Sequence, residues 1–161
     1  MLPKYIFLIL SLFFFFSCDN LRDERSTILL ESDYNKLLNT EYGYETWIPH
    51  KKDIDIVDKV LLEAIENDEF DFIKKPIKEN IDKFLYKQYI PYIDENGHRI
   101  IYLNTFCEIG EWPIEKNGQF EWKEVDWRKE YYHVNDGGFC YWRVTINIDK
   151  EEYSNLMVNG V

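Results

Sequence analysis

The stretch from Tyr131 to Gly160 constrains the fold more than any other part of the chain, because its apolar residues alternate with polar ones. Successive residues of a strand point to opposite faces, so a period of two predicts a strand with one buried side. Turn-forming residues at Asp136-Gly137-Gly138 and at Asp149–Glu152 divide the stretch into runs 133–135, 139–148 and 153–158, which predicts two consecutive hairpins. The predicted buried positions are Cys140, Trp142, Val144, Ile146 and Ile148, and the opposite face carries Arg143, Thr145 and Asn147.

Two more strands are predicted before this stretch, at Leu85–Ile93 and His98–Cys107. They flank Asp94-Glu95-Asn96-Gly97, and an Asn-Gly pair favours a tight hairpin turn. Both alternate faces of the second strand are apolar, which predicts that each face is at least partly covered. Pro91 has no amide hydrogen to donate, so the first strand is expected at a sheet edge or at a bulge.

Helices are predicted upstream of these strands. Asp53–Asn67 has the clearest helical period, and Lys75–Phe84 follows it with a proline suited to the first turn. A shorter docking helix is expected within Ile28–Leu38, where leucine and tyrosine recur at helical spacing. The predicted apolar stripes are Ile54, Val57, Leu61, Ala64 and Ile65 in the first helix and Ile77, Ile81 and Phe84 in the second.

Helices followed by consecutive strands are typical of α+β proteins. We therefore expect two N-terminal helices packed on one face of a roughly five-stranded antiparallel meander sheet. In this arrangement Cys140 and Trp142 lie at the centre of the sheet, beneath the helices. The order of elements is similar to the cystatin-like arrangement, a likeness that concerns architecture and implies no activity.

The N-terminus predicts export. Met1–Ser17 carries one positive charge at Lys4 and an apolar run too short to span a bilayer comfortably, which is typical of a signal peptide. The segment Phe15-Phe16-Ser17-Cys18 resembles the lipobox of bacterial lipoproteins, although Phe15 stands where that pattern prefers leucine. The resemblance implies that Cys18 becomes the first mature residue and carries the acyl chains that hold the protein to a membrane. An ordinary cleaved signal peptide and an uncleaved short anchor are the alternatives.

These features divide the chain into three parts. Residues 1–17 are the predicted lipoprotein signal peptide. Residues 18–45 contain the acylated Cys18, a charged tether and the short helix. Residues 46–161 form the single α+β domain.

The charge balance bears on the class of partner. The whole chain has a formal charge of −11, and removal of Met1–Ser17 takes away one lysine and no acid, which leaves −12. Nucleic acids and anionic lipid surfaces require basic patches to displace counterions, so neither is an expected partner. A basic partner is compatible with this charge, as is simple solvation of the surface.

Several short segments resemble a group of small lipoproteins of Bacteroidetes-type bacteria that has no assigned activity. They are Tyr89–Gly97, Asn104–Cys107, Asp136–Tyr141 and Val158–Gly160, and the likeness covers about residues 47–161. The resemblance implies a location in the cell envelope. It implies no substrate, cofactor or catalytic residue.

Cys107 and Cys140 are the two thiols of the mature chain besides Cys18. An oxidising compartment favours a disulfide between them. In a simple meander, however, their strands are second and fourth, which separates them beyond the spacing that a disulfide bridges, so two buried thiols are the favoured prediction. A nucleophilic pair of Cys140 with His133 is the third and least favoured interpretation, because Cys140 shares its face with core residues.

No metal or cofactor site is predicted. His50, His98 and His133 lack the spacing that brings zinc ligands together. Asp94–Gly97 lacks the alternating acids and the distal glutamate of a calcium loop.

The long connection Glu108–Arg128 is the candidate interaction surface. Asn117-Gly118 is its expected tip, and alternation over Gln119–Val125 is compatible with an extended hairpin. Exposed tryptophans beside carboxylates suit stacking on a sugar ring or anchoring a protein. The alternative, which we favoured from the sequence, is that the tryptophans close the open face of the sheet. The residues concerned are Trp112, Trp122 and Trp127 with Glu111, Glu115, Glu121, Glu124 and Asp126.

Three functional hypotheses follow from these observations. The first is a non-catalytic envelope lipoprotein domain that binds a protein or a glycan. The second is an acidic inhibitor or immunity-type protein that neutralises a basic partner. The third is an enzyme that uses Cys140 and His133.

Replacement of Cys18 by serine tests the lipid anchor. Since serine has no thiol to acylate, we expect the Cys18→Ser protein to leave the membrane fraction and appear in the soluble fraction after cell breakage. A variant that stays membrane-bound after a carbonate wash contradicts acylation at this residue.

Overall fold

The computed structural model describes residues 24–73 and 80–160, and within them the chain has an α+β fold. Five strands form one sheet in the order β1-β2-β3-β6-β7, and β4 and β5 form a separate hairpin. The strands are β1 (Ser26–Ile28), β2 (Tyr86–Ile93), β3 (Arg99–Phe106), β4 (Glu111–Lys116), β5 (Gln119–Glu124), β6 (Trp142–Asn147) and β7 (Glu152–Val158). The helices are α1 (Asp33–Tyr42), α2 (Lys51–Glu66) and the single turn α3 (Ile81–Phe84), with a 3-10 turn at Gly138–Cys140.

The prediction of an α+β fold is confirmed, but the prediction of a purely antiparallel meander is wrong. β1 pairs in parallel with β2, while the other neighbours in the sheet are antiparallel. The chain also leaves the sheet after β3 and returns at β6, so β3 and β6 become neighbours. The central strand is therefore β3, with β7 at an edge, and the stretch 131–160 is not the middle of the sheet.

The hairpin of β2 and β3 is confirmed, but β2 is not an edge strand of the sheet, because β1 pairs with it at Lys87–Tyr89. Gly97 adopts a φ of 79° in the turn, a left-handed conformation that glycine takes without steric cost. Lys87 and Ile93 direct their amides away from β3, to the carbonyls of Arg25 and Glu45. Alternation places the nitrogen of Pro91 on the same outer side, between those two contacts, so its missing amide hydrogen leaves the ladder with β3 intact.

Helix α2 covers one face of the sheet, called here the core face. Val57, Val60, Leu61 and Ala64 are buried against the strands, as the apolar stripe predicted. On the strands this face carries Leu103, the residues paired with it, and residues two positions away along the same strands. These residues are Tyr89, Ile101, Leu103, Trp142, Val144 and Ile146.

The start of α2 is fixed to the turns of the sheet by Asp53 and Arg99. The buried carboxylate of Asp53 accepts hydrogen bonds from the backbone amide of His50 at 2.8 Å and from Arg99 Nη1 at 2.9 Å. Arg99 Nη2 also donates to Asp149 Oδ1 at 2.7 Å. The backbone amide and the guanidinium of Arg99 hold the pKa of Asp149 below its ordinary value. One guanidinium thus joins a helix to two hairpin turns.

Helix α1 lies on the opposite face of the sheet, called here the tyrosine face. Leu38 packs with Leu29 and Ile90, and the register pairs Ile90 with Tyr102. Since Ile101 and Leu103 point to the core face, their neighbour Tyr102 points away from it. α1 corresponds to the separately predicted docking helix, so the sheet has a helix on each face: α2 on the core face and α1 on the tyrosine face. α1 begins at Asp33 rather than Ile28, because the side chain of Ser32 caps its first turn.

The second predicted helix, Lys75–Phe84, lies partly outside the described residues. The described part contains the single helical turn Ile81–Phe84. Near it, Phe70 lies fully buried in the core, with its ring edge-on to Trp142 at a centroid distance of 5.0 Å.

The predicted hairpin turn at Asp136-Gly137-Gly138 is wrong. Instead, the amide of Gly138 donates to the carbonyl of Asn159 at 2.9 Å, so this segment packs against the C-terminal end of β7. A Cβ atom on Gly160 would lie 2.4 Å from Cα of Asp136, a contact that only glycine allows. The hairpin of β6 and β7 is confirmed, and the five residues predicted to be buried from Cys140 to Ile148 are buried.

Candidate binding surface

The hairpin of β4 and β5 projects from the domain. All twelve of its strand residues are exposed, and no other described strand pairs with it. Asn117 and Gly118 form its tip with φ values of 55° and 75°, the left-handed pair that a two-residue hairpin turn needs. Six residues at about 3.4 Å each give the hairpin a reach of roughly 20 Å. The expectation of an extended hairpin in this connection is confirmed.

The register of the hairpin divides its side chains between two faces. Trp122 pairs with Pro113, and Phe120 pairs with Glu115, so these four side chains share a face with Glu111 and Glu124. This set is called the outer face. The opposite, inner face carries Trp112, Ile114, Lys116, Gln119, Glu121 and Lys123.

The inner face is turned toward the domain. Trp112, Ile114 and Lys123 line a cavity of about 200 Å³ together with Glu130 and Tyr131 of the segment after the hairpin, and Glu124 reaches it at the end of β5. One of the two lysines of the inner face is paired on that face, since Lys116 Nζ lies 3.4 Å from Glu121 Oε2. The outer face is therefore the one that points to solvent.

The outer face has a distinctive charge. It contains the carboxylates of Glu111, Glu115 and Glu124 and no lysine or arginine, and Glu111 lies directly across from Glu124. Like charges placed directly opposite each other on two strands destabilise the pair. The same face presents large apolar surfaces, because Phe120 is 74% exposed and Trp122 is 68% exposed. The outer face thus combines two exposed aromatic side chains with three carboxylates, and no basic residue of the hairpin shares it.

Two buried amides hold the segment that follows the hairpin. Gln88 Nε2 donates to the carbonyls of Trp127 at 2.6 Å and Glu130 at 2.7 Å, and Asn104 Nδ2 donates to the carbonyl of Tyr132 at 2.7 Å. Asn104 also donates to Gln88 Oε1 at 2.9 Å, and the amide of Tyr132 donates to the same oxygen at 3.1 Å. Both side chains are at most 1% exposed. This network satisfies the backbone of a loop that crosses the tyrosine face.

A covalent bond and a tyrosine fix the base of the hairpin. The structure has a disulfide between Cys107 and Cys140, whose Cα atoms are 5.6 Å apart. The prediction of two separate thiols is wrong. It assumed a strand between those that carry the two cysteines, whereas β3 and β6 are adjacent. The hydroxyl of Tyr132 accepts a hydrogen bond from the amide of Gly110 at 2.9 Å, and Val125 donates to the carbonyl of Gly110 at 3.1 Å. Both ends of the hairpin are thus tied to the sheet.

The three tryptophans of the connection differ in their exposure to solvent. Trp127 is 5% exposed and packs edge-on against Tyr86 and Phe106, so it closes part of the tyrosine face as the favoured prediction had it. Trp112 and Trp122 lie on the hairpin and are 50% and 68% exposed, which agrees with the alternative. The sequence hypotheses were each correct for part of the set.

Sequence reasoning missed a group of tyrosines on the other half of the tyrosine face. The ring of Tyr34 stacks on those of Tyr102 and Tyr131, at centroid distances of 5.2 Å and 4.4 Å. Burial raises the pKa of Tyr34 and Tyr102 and raises the pKa of Tyr92 to about 12. These hydroxyls therefore stay protonated at neutral pH and act as hydrogen-bonding and packing groups. Twelve tyrosines were the available signal, but their spacing does not show that they meet.

The other residues considered from the sequence for catalysis or metal binding do not form such a site within the described part of the chain. Cys140 is bonded to Cys107, so it has no thiol to ionise beside His133, and His133 Nε2 lies 3.0 Å from Asn135 Oδ1 instead. The described residues contain no group of three or more His, Cys, Asp or Glu side chains arranged to hold a metal ion. Asp94 accepts hydrogen bonds from the amides of Asn96 and His98, as a turn residue does.

Cys18 lies outside the described residues. Within the described ranges, no helix has the length and apolarity that crossing a membrane requires. Comparison with protein-family models, with curated proteins and with solved structures finds no match to this chain.

Substitution of Asn104 by leucine tests the role of the buried amides. We expect Asn104→Leu to lower the free energy of unfolding by about 1–3 kcal/mol, because the buried carbonyl of Tyr132 loses its donor, whereas Gln88 keeps its hydrogen bonds to residues 127–132. Urea unfolding followed by tryptophan fluorescence measures the change. The matched control is Gln119→Leu on the exposed hairpin, for which we expect a change within about 0.5 kcal/mol. Equal stability of the two variants contradicts the assigned role.

Proposed function

We propose that this protein is a non-catalytic binding domain of the bacterial envelope that contacts a protein partner through the outer face of the β4–β5 hairpin. The observation that carries the proposal is the pair Phe120 and Trp122, both more than two thirds exposed on a hairpin that packs against no other described strand. The domain has a full core elsewhere, so these residues are not needed to build it.

Exposed aromatic side chains have an energetic use at interfaces. Tryptophan and tyrosine are enriched among the residues that contribute most binding energy, because they bury a large area and lose little rotamer freedom. An isolated two-stranded hairpin is at best marginally stable in water, and this one is tied down by the disulfide and by Tyr132. A preformed hairpin reduces the ordering cost of association.

The charge of the outer face favours a protein partner over a neutral glycan. A sugar ring that stacks on Trp122 leaves the three glutamates of this face uncompensated. A protein partner that carries arginine or lysine compensates them and places cations near the aromatic rings. We therefore assign the outer face to a protein.

Tethering in the envelope is the second part of the proposal. It is supported by the lipobox-like segment at Cys18 and by the Cys107–Cys140 disulfide, because disulfides persist in oxidising compartments. Acyl chains on Cys18 would hold the domain at a membrane surface while the hairpin stays accessible to a partner.

A second candidate function is inhibition of a basic toxin or enzyme, as in immunity-type proteins. The specific observation that favours it is the segregation of charge on the hairpin, where both lysines lie on the inner face and the outer face is purely acidic. The two candidates share one surface and differ in the consequence of binding. Loss of a catalytic activity of the captured partner identifies the inhibitor function.

The proposal predicts that polar substitutions on the outer face abolish partner capture. We expect Phe120→Ser with Trp122→Ser to reduce recovery of the partner from detergent-solubilised native envelopes at least tenfold, since truncation of one such anchor costs about 2 kcal/mol or more. Quantitative mass spectrometry of the material retained by the immobilised domain measures the recovery.

The matched control is Ile48→Ser with Leu62→Ser, two exposed apolar residues of similar accessibility outside the hairpin, at 70% and 56%. We expect this control to retain the proteins that the wild-type domain retains. Identical retention by the hairpin variant and the wild-type domain overturns the proposal.

A further inference from the structure

No other described strand pairs with either edge of the hairpin, and its hydrogen-bond pattern shows which backbone groups each edge presents. Val125 donates to the carbonyl of Gly110, so these two residues face each other as a hydrogen-bonded pair. Such pairs alternate along an antiparallel ladder, so Lys123, Glu121 and Gln119 also direct their backbone groups to β4. The amides and carbonyls of Phe120, Trp122 and Glu124 point the other way, out of the hairpin.

The two edges are not equivalent. By the same alternation the outward positions of β4 are Glu111, Pro113 and Glu115. Pro113 has no amide hydrogen, so the middle of that edge cannot donate to an added strand, and a proline at an edge is a common protection against pairing. The edge of β5 contains no proline. Its six residues are exposed, and among the described elements it pairs with β4 alone.

From this asymmetry we propose that the partner binds by strand addition: an extended segment with alternating basic side chains pairs with β5 and makes the hairpin three-stranded. The inference rests on the proposed function and adds the mode of recognition and the class of partner segment. Main-chain hydrogen bonds to a free sheet edge supply affinity, and alternate side chains supply specificity.

The basic character of the segment follows from the face that it extends. An added residue opposite Phe120, Trp122 or Glu124 directs its side chain to the outer face, about 5 Å from its neighbour on β5. There an arginine or lysine meets the carboxylate of Glu124 or the face of an aromatic ring. The intervening residues of the segment lie beside Gln119, Glu121 and Lys123, where charge is already mixed.

A second copy of the same chain is a poorer occupant of this edge. Pairing of two β5 strands would bring two acidic outer faces together, and each chain already carries a formal charge of −11. Like charges across an interface oppose association.

A designed peptide tests strand addition without knowledge of the natural partner. The probe is a capped octapeptide of alternating arginine and threonine, titrated into the detergent-solubilised full-length protein by calorimetry at low salt. Three further peptides are compared with it. One has glutamine in place of each arginine, one has N-methylated arginine amides, and one has N-methylated threonine amides. In a strand added antiparallel to β5, the orientation proposed here, the amides of the arginines face β5 and those of the threonines face solvent.

We expect the arginine peptide to bind with an affinity that falls as salt rises, because exposed charges are screened. N-methylation of the arginines should weaken binding at least tenfold, since several backbone hydrogen bonds of about 0.5–1.5 kcal/mol each are lost. N-methylation of the threonines should change it less than twofold. The glutamine version should bind at least tenfold more weakly than the arginine peptide.

A pair of variants applies the same test to the protein. Trp122→Thr removes the ring and keeps the amide, whereas Trp122→Pro also removes the outward amide hydrogen. Pro113, directly opposite, shows that this register accommodates proline. We expect the proline variant to bind the arginine peptide at least fivefold more weakly than the threonine variant. Circular dichroism and the unfolding curve of both variants verify that the hairpin and the domain remain folded.

Several outcomes overturn the inference. They are absence of binding by the arginine peptide at millimolar concentration, equal affinities of the two N-methylated peptides, and equal affinities of the threonine and proline variants. Equal affinity of the glutamine version overturns the basic partner class. A dimer in light scattering that Trp122→Pro dissolves assigns the edge to a second copy. If the serine variants lose capture from envelopes while the peptide tests fail, the proposed function stands and strand addition falls.

Discussion

The hydrogen-bonded side chains of Gln88 and Asn104 are the constraint on which the position of the binding surface depends. They lie on adjacent strands at paired positions of the register, buried on the tyrosine face of the sheet. A buried amide requires partners, and these two obtain them from the backbone of residues 127–132. The loop is thereby fixed on the sheet, and the hairpin that precedes it leaves the domain in a defined direction.

The same anchoring explains how a highly charged chain keeps exposed aromatic residues on a narrow projection. The core is complete without the hairpin: α2 covers one face of the sheet, and α1, Trp127 and the tyrosines cover much of the other. Tyr132 links the two systems, since its ring packs on Phe106 while its hydroxyl accepts the amide of Gly110. The residues proposed for recognition are therefore distinct from those of the core, and we expect changes in the hairpin to have little effect on the core.

The sequence predicts most of this fold where the pattern is long and regular. Helix α2 and the hairpins β2–β3 and β6–β7 have enough residues for their period to be recognised. β1 has three residues, too few for a period, and its parallel pairing depends on contacts distant in sequence. The run 133–135 alternates but does not form a strand. Hydrogen bonds from Gln88 and Asn104 instead hold the preceding backbone, residues 127–132, across the sheet. The sequence prediction favours two thiols over the disulfide because a simple meander places Cys107 and Cys140 on separated strands.

The candidate site was only partly predictable for a related reason. The local sequence does not distinguish the tryptophans of the connection from one another. Only the tertiary structure separates Trp127, which is buried against Phe106, from Trp122, which is exposed on the hairpin. Asn117-Gly118 specifies the tip and thereby the register, which in turn segregates the charges. The segregation could have been derived from the sequence once the tip was accepted as a two-residue turn.

Photo-crosslinking in intact cells that make the protein tests the central claim most directly. A benzoylphenylalanine placed at position 120 lies on the outer face, and one placed at position 62 lies on an exposed site of α2 with comparable accessibility. We expect a discrete crosslinked protein from position 120 upon irradiation and none from position 62. The same crosslinking pattern from both positions, or no product from position 120, would contradict it.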